Sequence, residues 1–229
     1  MLSVKKRVFP FYALFTLSVM LVGGCSKHYE TVKEIPFADE NFRACVLKTG
    51  EVYPEDIVEL DCRDSNIHSA NEVQYFENLR ELTLSSNDLE ELDLSNNPEL
   101  RVLNLSNNEL HTLDLSENEI IREVQLNNNE LESIVLSEQS KLEKLDLNSN
   151  NLEKLNVTEL PNLKGLFVAY NELTQLDISK NPKLAELNVM KNQLESLDLS
   201  NNKRLTMLQE KGNKMNGGKQ RPASEWSSR

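Results

Sequence analysis

The sequence is poor in aromatic residues, glycine, proline, cysteine and histidine. Aromatics make up 6% of its 229 residues, and it has seven glycines, seven prolines, three cysteines and three histidines. So few glycines and prolines argue against a turn-rich β-sandwich and against a glycine-rich phosphate loop. Leu, Asn, Glu, Ser and Asp dominate the middle of the chain instead, and this bias indicates a repeat.

The charge is acidic overall and unevenly placed. The net charge is −12, whereas seven basic residues lie in the stretch from Lys203 to Arg229. An acidic body without a basic stripe argues against nucleic acid as a partner, because phosphate contacts need clustered Lys and Arg. Anionic lipid head groups would repel such a body, so any membrane attachment must have another source.

Residues 1–24 have the layout of an export signal. A basic start at Lys5, Lys6 and Arg7 is followed by an apolar run of about 15 residues, shorter than the ~20 that span a bilayer. The stretch LVGGC that ends at Cys25 resembles the lipobox of bacterial lipoproteins. This resemblance implies a diacylglyceryl group on the Cys25 thiol, cleavage just before it and a lipidated tether over residues 25–34. Ser26 after the cysteine favours the outer membrane in enteric-type bacteria.

A short repeat fills the centre of the chain. Equivalent leucines recur at a constant interval along the sequence, as at Leu79 and Leu100, and this interval is the length of one unit. Six units with the pattern LxxLxLxxNxLxxLDLSxNPx run from Leu79 to Arg204, after a divergent unit that begins at Ile57. A broken unit follows, in which Glu210 replaces a core leucine, so we place the repeat domain at residues 57–210. One unit is too small to bury its own leucines, so neighbouring units must stack around a shared core.

The pattern resembles the short bacterial type of leucine-rich repeat. The resemblance implies an α/β-type repeat solenoid, a curved arc with a parallel sheet on its concave face. The LxL alternation independently predicts a half-buried strand in each unit. Because so short a unit leaves little room for a helix on the return side, we expect extended or short-strand return segments.

Two polar residues recur in the repeat. Asparagine recurs at Asn87, Asn108, Asn129, Asn150, Asn171 and Asn192, and we predict that each amide points inward and caps backbone groups at a turn. Aspartate recurs at Asp93, Asp114, Asp177 and Asp198. These carboxylates could line a calcium ladder, but the glycine-rich nonapeptide of calcium-binding solenoids is absent, so a solvated surface is favoured.

The two ends of the repeat differ. We predict a small helical cap at residues 35–56, in which Asp39 begins a helix and Gly50 ends it. Cys45 and Cys62 either form a disulfide between this cap and the first strand or are buried as separate thiols. We predict a disordered basic tail over residues 211–229, in which Trp226 is either an anchor for a partner or simply exposed.

The concave face offers the candidate binding site. Its outward residues are mostly polar, as in Glu59, Asp61, Glu81, Thr83, Asn104, Glu123, Gln125, Lys144, Asp146, Glu186 and Asn188. Phe167, Tyr170, Met190 and Met207 are the exceptions and predict an apolar patch that binds a protein. Alternatively, Phe167 packs under a C-terminal cap formed by the tail, or it has no role.

These features favour protein recognition over catalysis. His28, His68 and His111 are far apart and have no nucleophile or metal-ligand spacing beside them, so we predict ordinary surface residues, no metal and no cofactor. We expect a monomeric, lipid-anchored protein of the bacterial cell envelope, either periplasmic or facing outward, that binds an unidentified protein. An adhesin for host or environmental ligands and a structural envelope component without a specific ligand are the alternatives.

Overall fold

The computed structural model describes residues 28–136 and 141–215. The predicted signal peptide, the predicted lipid site Cys25 and Trp226 lie outside these described residues. No helix within them is long and apolar enough to cross a membrane.

The helical cap precedes the repeats. It contains a 3₁₀ turn at Val32–Glu34, the helix α1 at Glu40–Lys48 and a second 3₁₀ turn at Pro54–Asp56. Asp39 caps α1, since its Oδ1 accepts hydrogen bonds from the backbone N–H groups of Asn41 and Phe42. Its Oδ2 accepts from the N–H of His68 at 2.8 Å, so one side chain joins the helix to the first turn of the solenoid.

A disulfide also links the cap to the solenoid. Cys45 in α1 is bonded to Cys62, with Cα atoms 5.7 Å apart. Cys62 occupies a core position and is 1% exposed. The sequence leaves open a disulfide or two separate thiols, and the structure contains the disulfide.

In the part of the chain that the structure describes, ten short strands form two parallel sheets. The concave sheet has the order β1-β2-β3-β5-β7-β8-β9-β10, and the return sheet contains β4 and β6. The strands are β1 Glu59–Asp61, β2 Glu81–Thr83, β3 Val102–Asn104, β4 Thr112–Asp114, β5 Glu123–Gln125, β6 Ser133–Val135, β7 Lys144–Asp146, β8 Gly165–Phe167, β9 Glu186–Asn188 and β10 Met207–Gln209. A third 3₁₀ turn lies at Asn71–Tyr75. The parallel-sheet solenoid with extended or short-strand return segments is confirmed.

The register places equivalent residues of neighbouring turns side by side. Leu82 lies opposite Leu103, which in turn lies opposite Val124, and all three are fully buried. Every concave strand thus contributes its middle residue to one continuous core. Each of these strands begins one repeat length after the one before it, because each turn must return to the same position. The step from β1 to β2 is one residue longer.

The repeated asparagines cap the turns as predicted. The Nδ2 of Asn150 donates to the carbonyls of Leu126 and Leu147, and its Oδ1 accepts from the N–H of Leu131, each at 3.0 Å. The six residues of this position are 6–8% exposed. Each amide therefore satisfies buried backbone groups of its own turn and of a neighbouring turn.

A second asparagine position on the return side was not predicted. Asn97, Asn118, Asn181 and Asn202 are at most 1% exposed, and their Nδ2 atoms donate to carbonyls of the preceding turn. The regular spacing of these asparagines along the sequence was the available signal.

The repeated aspartates lie at the surface. Asp93 is exposed and accepts a hydrogen bond from the N–H of Ser95, and the same contact recurs at the other three aspartates. These carboxylates stabilise local turns at the surface.

The last turn extends beyond the predicted boundary at residue 210. The side chain of Asn213 lies one repeat length after Asn192 and repeats its contacts, with donation to Val189 and Glu210 and acceptance from Leu194. The substitution at Glu210 was interpreted as the end of the repeat, but the capping position continues. Residues 211–215 therefore belong to the solenoid, while the rest of the predicted tail lies outside the described residues.

The concave face as a candidate protein-binding site

The outward residues of the eight concave strands form two rows. The leading row holds the first residue of each strand, namely Glu59, Glu81, Val102, Glu123, Lys144, Gly165, Glu186 and Met207. The trailing row holds the third residue, namely Asp61, Thr83, Asn104, Gln125, Asp146, Phe167, Asn188 and Gln209. All eleven predicted polar concave positions lie in these rows. Before β8 these rows are polar apart from Val102, and half of their residues are acidic.

Phe167 lies along the sheet instead of standing upright on it. A Cβ atom added to Gly165 would lie 3.0 Å from Cε2 of Phe167, so the ring covers the space that this glycine leaves open. Gly165 is buried as a result, and Phe167 is half-buried. Phe167 therefore packs on its own strand, where part of the ring remains open to a partner.

Charged groups surround the Phe167 ring. The Nζ of Lys144 lies 5.9 Å from the ring centroid, which is within the range of a cation–π interaction. Asp146 is directly opposite Phe167 in the sheet. Burial raises the pKa of the Asp146 carboxyl, although the N–H of Asn148 and the nearby Lys144 act in the other direction. The strand on one side of the ring, β7, thus carries both a cation and a partly desolvated carboxyl group.

Tyr170 follows β8 on the adjoining turn and is 56% exposed. Its φ angle of 57° is in the left-handed region, as are those of the equivalent residues Ser86, Asn107, Asn128, Ser149 and Lys191. Small polar residues tolerate this region better than a tyrosine does. The backbone of Tyr170 therefore has a conformation that is unfavourable for tyrosine, although its ring is exposed.

The four predicted patch residues do not form one compact group. Met190 lies one turn beyond Ala169 and is half-buried beside the trailing row. Met207 is in the leading row, where Glu186 separates it from Gly165. The structure therefore brings Phe167, Tyr170 and Met190 to adjacent turns, while Met207 lies across the sheet from them.

An arginine row at the edge of the concave face was missed from the sequence. Arg80, Arg101 and Arg122 each precede a strand, are exposed and have backbone contacts to the previous turn. Within the described residues, none of them has a side-chain salt bridge, whereas Lys164 in the same position pairs with Glu143 at 2.6 Å. Their regular spacing was visible in the sequence. Gly165, the one glycine between residues 51 and 211, was an equally visible signal.

The histidines are surface residues and are not gathered into a site. All three are exposed. His68 lies 3.6 Å from a carboxylate oxygen of Asp88, and His111 lies 3.5 Å from one of Glu130. Across residues 28–136 and 141–215, no three His, Cys, Asp or Glu side chains are grouped to hold a metal ion.

Comparisons with known proteins agree with this fold. Residues 141–166 match the family described as Leucine Rich Repeat. No curated protein matches the chain. Among solved structures, internalin C2 of Listeria monocytogenes is 21% identical with a TM-score of 0.57, and the match covers 81% of this chain and 100% of that one.

Two further solved structures are similar over shorter stretches. A leucine-rich-repeat protein of Leptospira interrogans is 22% identical with a TM-score of 0.58, covering 66% of this chain and 47% of that one. The leucine-rich repeat domain of APL1B is 25% identical with a TM-score of 0.56, covering 69% and 48%. This chain thus spans about half the length of those two. One segment of the chain thus matches a leucine-rich repeat, and its parallel-sheet solenoid is similar in fold to these leucine-rich-repeat structures.

Proposed function

We propose that this protein recognises another protein through the part of its concave face around Phe167 and Tyr170, while a lipid on Cys25 anchors it in the bacterial cell envelope. The observation that carries the proposal is the pairing of these two aromatic side chains in one turn of a mainly polar surface. Between Leu79 and Leu208 they are the only aromatic residues.

The conformation of Tyr170 supports a binding role. A non-glycine residue in the left-handed region costs roughly 1–2 kcal/mol, and less for Asn. The chain places Ser or Asn at this position in four of the repeat turns but a 56% exposed tyrosine here. Local strain and exposure of a large aromatic are both typical of functional sites, since tyrosine is enriched among binding hot spots.

The surroundings of Phe167 suggest how a partner would bind. The ring presents a half-buried apolar surface, and Lys144 and Asp146 on the neighbouring strand β7 carry opposite charges. A protein partner would cover the ring with an apolar side chain and place polar groups against the two charged neighbours. Such an apolar centre with a polar rim is the usual anatomy of a protein interface.

Capture from envelope extracts tests this proposal. The bait is the full chain, compared with a Phe167→Ala/Tyr170→Asn variant and with Tyr53→Asn as the control. Tyr53 is a 50% exposed tyrosine on the cap, remote from β8. The control variant therefore also loses an exposed tyrosine but keeps the concave face unchanged. We expect a partner that binds the wild type and the Tyr53 variant but not the double variant. Equal capture by all three baits contradicts the assignment.

The anchoring is tested by its own variant. We expect the Cys25→Ser protein to leave the membrane fraction, whereas a Cys45→Ser/Cys62→Ser variant remains there, because only Cys25 follows the lipobox-like stretch. Retention of the Cys25 variant in the membrane would contradict lipidation.

Protease treatment of intact cells separates the remaining alternatives. Digestion from outside would favour the adhesin, and protection would favour a periplasmic recognition protein. A structural envelope component without a ligand would instead lose function only when Cys25 is changed and not when the concave face is changed.

A further inference from the structure

The C-terminal end of the solenoid is open in the described part of the chain. We define the end turn as residues 205–215. Leu208 in this turn is partly exposed, whereas its equivalents Leu187 and Leu166 in the preceding turns are fully buried. Leu199 on the return side is also partly exposed, where Ile178 one turn earlier is 1% exposed. A solenoid needs such a terminal core covered.

The opposite end is closed. There α1 buries Phe42 and Val46 against the first turn, and the disulfide between Cys45 and Cys62 fixes the helix in place. The cap therefore supplies the apolar side chains that a neighbouring turn would otherwise supply. Within residues 28–136 and 141–215, no corresponding segment lies against the end turn.

A carboxylate lies in the core position of the end turn. Glu210 takes the place held by Val189 and Val168 in the two preceding turns, both fully buried. Its Oε2 is buried and has no hydrogen-bond partner among the described residues. Burial raises the pKa of this carboxyl group. A cation beside Glu210 would remove the cost of this unpaired buried oxygen.

The residues after the end turn carry what this surface needs. Residues 216–229 contain Lys219, Arg221 and Arg229 against a single acid, and they contain Trp226, the one tryptophan of the chain. Trp226 is eleven residues beyond Met215. An extended chain spans at most about 3.3–3.6 Å per residue, so this tryptophan can reach any point of the end turn.

We propose that residues 216–229 cover the end turn, with Trp226 on the surface formed by Leu208 and Leu199 and with Arg221 paired to Glu210. This assignment replaces the predicted disorder of that segment and does not depend on the concave-face function. A second copy of the chain is a poorer occupant, since end-to-end contact would bring two Glu210 carboxylates together at one surface.

The fluorescence of Trp226 reports directly on this contact, because no other tryptophan contributes. In the full chain we expect emission at shorter wavelength than that of N-acetyltryptophanamide and a several-fold lower rate of quenching by acrylamide. Emission and quenching equal to those of the free amide would overturn the proposal. Protection that disappears on dilution into the monomer range would also overturn it and would assign the surface to a second copy.

Charge exchange tests the pair with Glu210. Glu210→Lys should expose Trp226, and adding Arg221→Glu to that variant should restore its protection. Glu195→Lys, an equal charge change at an exposed glutamate of the return side, should leave the emission unchanged. Glu210→Gln should raise the quenching rate in part. Because it preserves the shape of the side chain, its effect cannot be explained by misfolding of the end turn. Full protection in both Glu210 variants contradicts the assigned pair.

Discussion

At the scale of single residues, the repeated asparagines show how a buried amide stabilises a solenoid. Each one uses both its donor and its acceptor on backbone groups that the turn leaves without partners. The same side chain therefore closes one turn and ties it to the next. This double use explains why the position recurs at every turn from Asn87 to Asn213.

Replacing one of these amides should be costly. Asn150→Ala leaves the N–H of Leu131 without its partner and takes one of two amide donors from the carbonyls of Leu126 and Leu147. Because these carbonyls still accept from Asn129 and Asn171, we expect a loss of about 1–3 kcal/mol in the free energy of unfolding. Asn151→Ala, at the exposed neighbouring position, should change it by less than about 0.5 kcal/mol. Urea denaturation measures both, and equal effects would contradict the capping role.

Tyr170 should show a conflict between stability and binding. We expect Tyr170→Asn to raise the free energy of unfolding by about 0.5–1 kcal/mol, because Asn tolerates the left-handed region at this position. The same variant should bind the partner less well. Lys191→Asn, at the equivalent position one turn later, should give a similar gain in stability without loss of binding. A destabilised Tyr170 variant would show that the tyrosine is there for packing.

The residue scale also shows where sequence reasoning ends. The Asn150 contacts were predictable because a single amide at a fixed position has one structural use in every turn. The position of Phe167 was not, because it depends on Gly165 two residues earlier and on Lys144 one turn earlier. No periodicity in the sequence expresses such a relation between three residues.

At the scale of elements, the cap is held by an ionised side chain. Burial acts to raise the pKa of Asp39, but the N–H groups of His68, Phe42, Asn41 and Ser69 outweigh it and hold the pKa below its ordinary value. The folded state therefore binds this proton less tightly than the unfolded state does. The stabilisation is complete above the unfolded pKa of about 3.9 and is lost as the pH falls through the folded value.

This titration predicts a specific pH dependence. The free energy of unfolding of the wild type should fall more steeply below about pH 4 than that of an Asp39→Asn variant. Urea denaturation between neutral and strongly acidic pH gives both curves. Parallel curves would mean that other carboxyl groups account for the acid sensitivity. Glu40→Gln, at an exposed residue of the same helix, is the control and should follow the wild type.

The disulfide should contribute separately to the same element. It closes a loop between residues 17 apart, and such a loop corresponds to about 3 kcal/mol in the chain-entropy description. We expect Cys45→Ala/Cys62→Ala to lose about that much in urea denaturation. An unchanged transition would show that α1 is held by Asp39 and apolar packing alone.

The elements themselves were largely predictable. Asp39 and Gly50 mark the two ends of the helix, and the regular spacing of the repeat places all eight concave strands. The last turn was not fully predicted, since Glu210 outweighed the signal of Asn213. A polar residue in a core position destabilises that position of the turn. Whether the turn forms depends on its backbone contacts.

At the scale of the whole molecule, the solenoid is a polar arc with one aromatic turn. The strands β1, β2, β3, β5 and β7 form most of the concave face, and β8 places Phe167 and Tyr170 near the C-terminal part of the sheet. Recognition at this position leaves the cap and the proposed lipid at the other end of the chain free for attachment.

Photo-crosslinking in living cells tests the central claim most directly. A photoreactive phenylalanine analogue is placed at Phe167 or at Tyr170, and in a control at Thr174, an exposed residue on the return side of the same unit. Recognition through this turn predicts a discrete covalent product with another protein from the first two positions and none from the third. The same product from Thr174, or no product from either aromatic position, would contradict recognition through this part of the concave face.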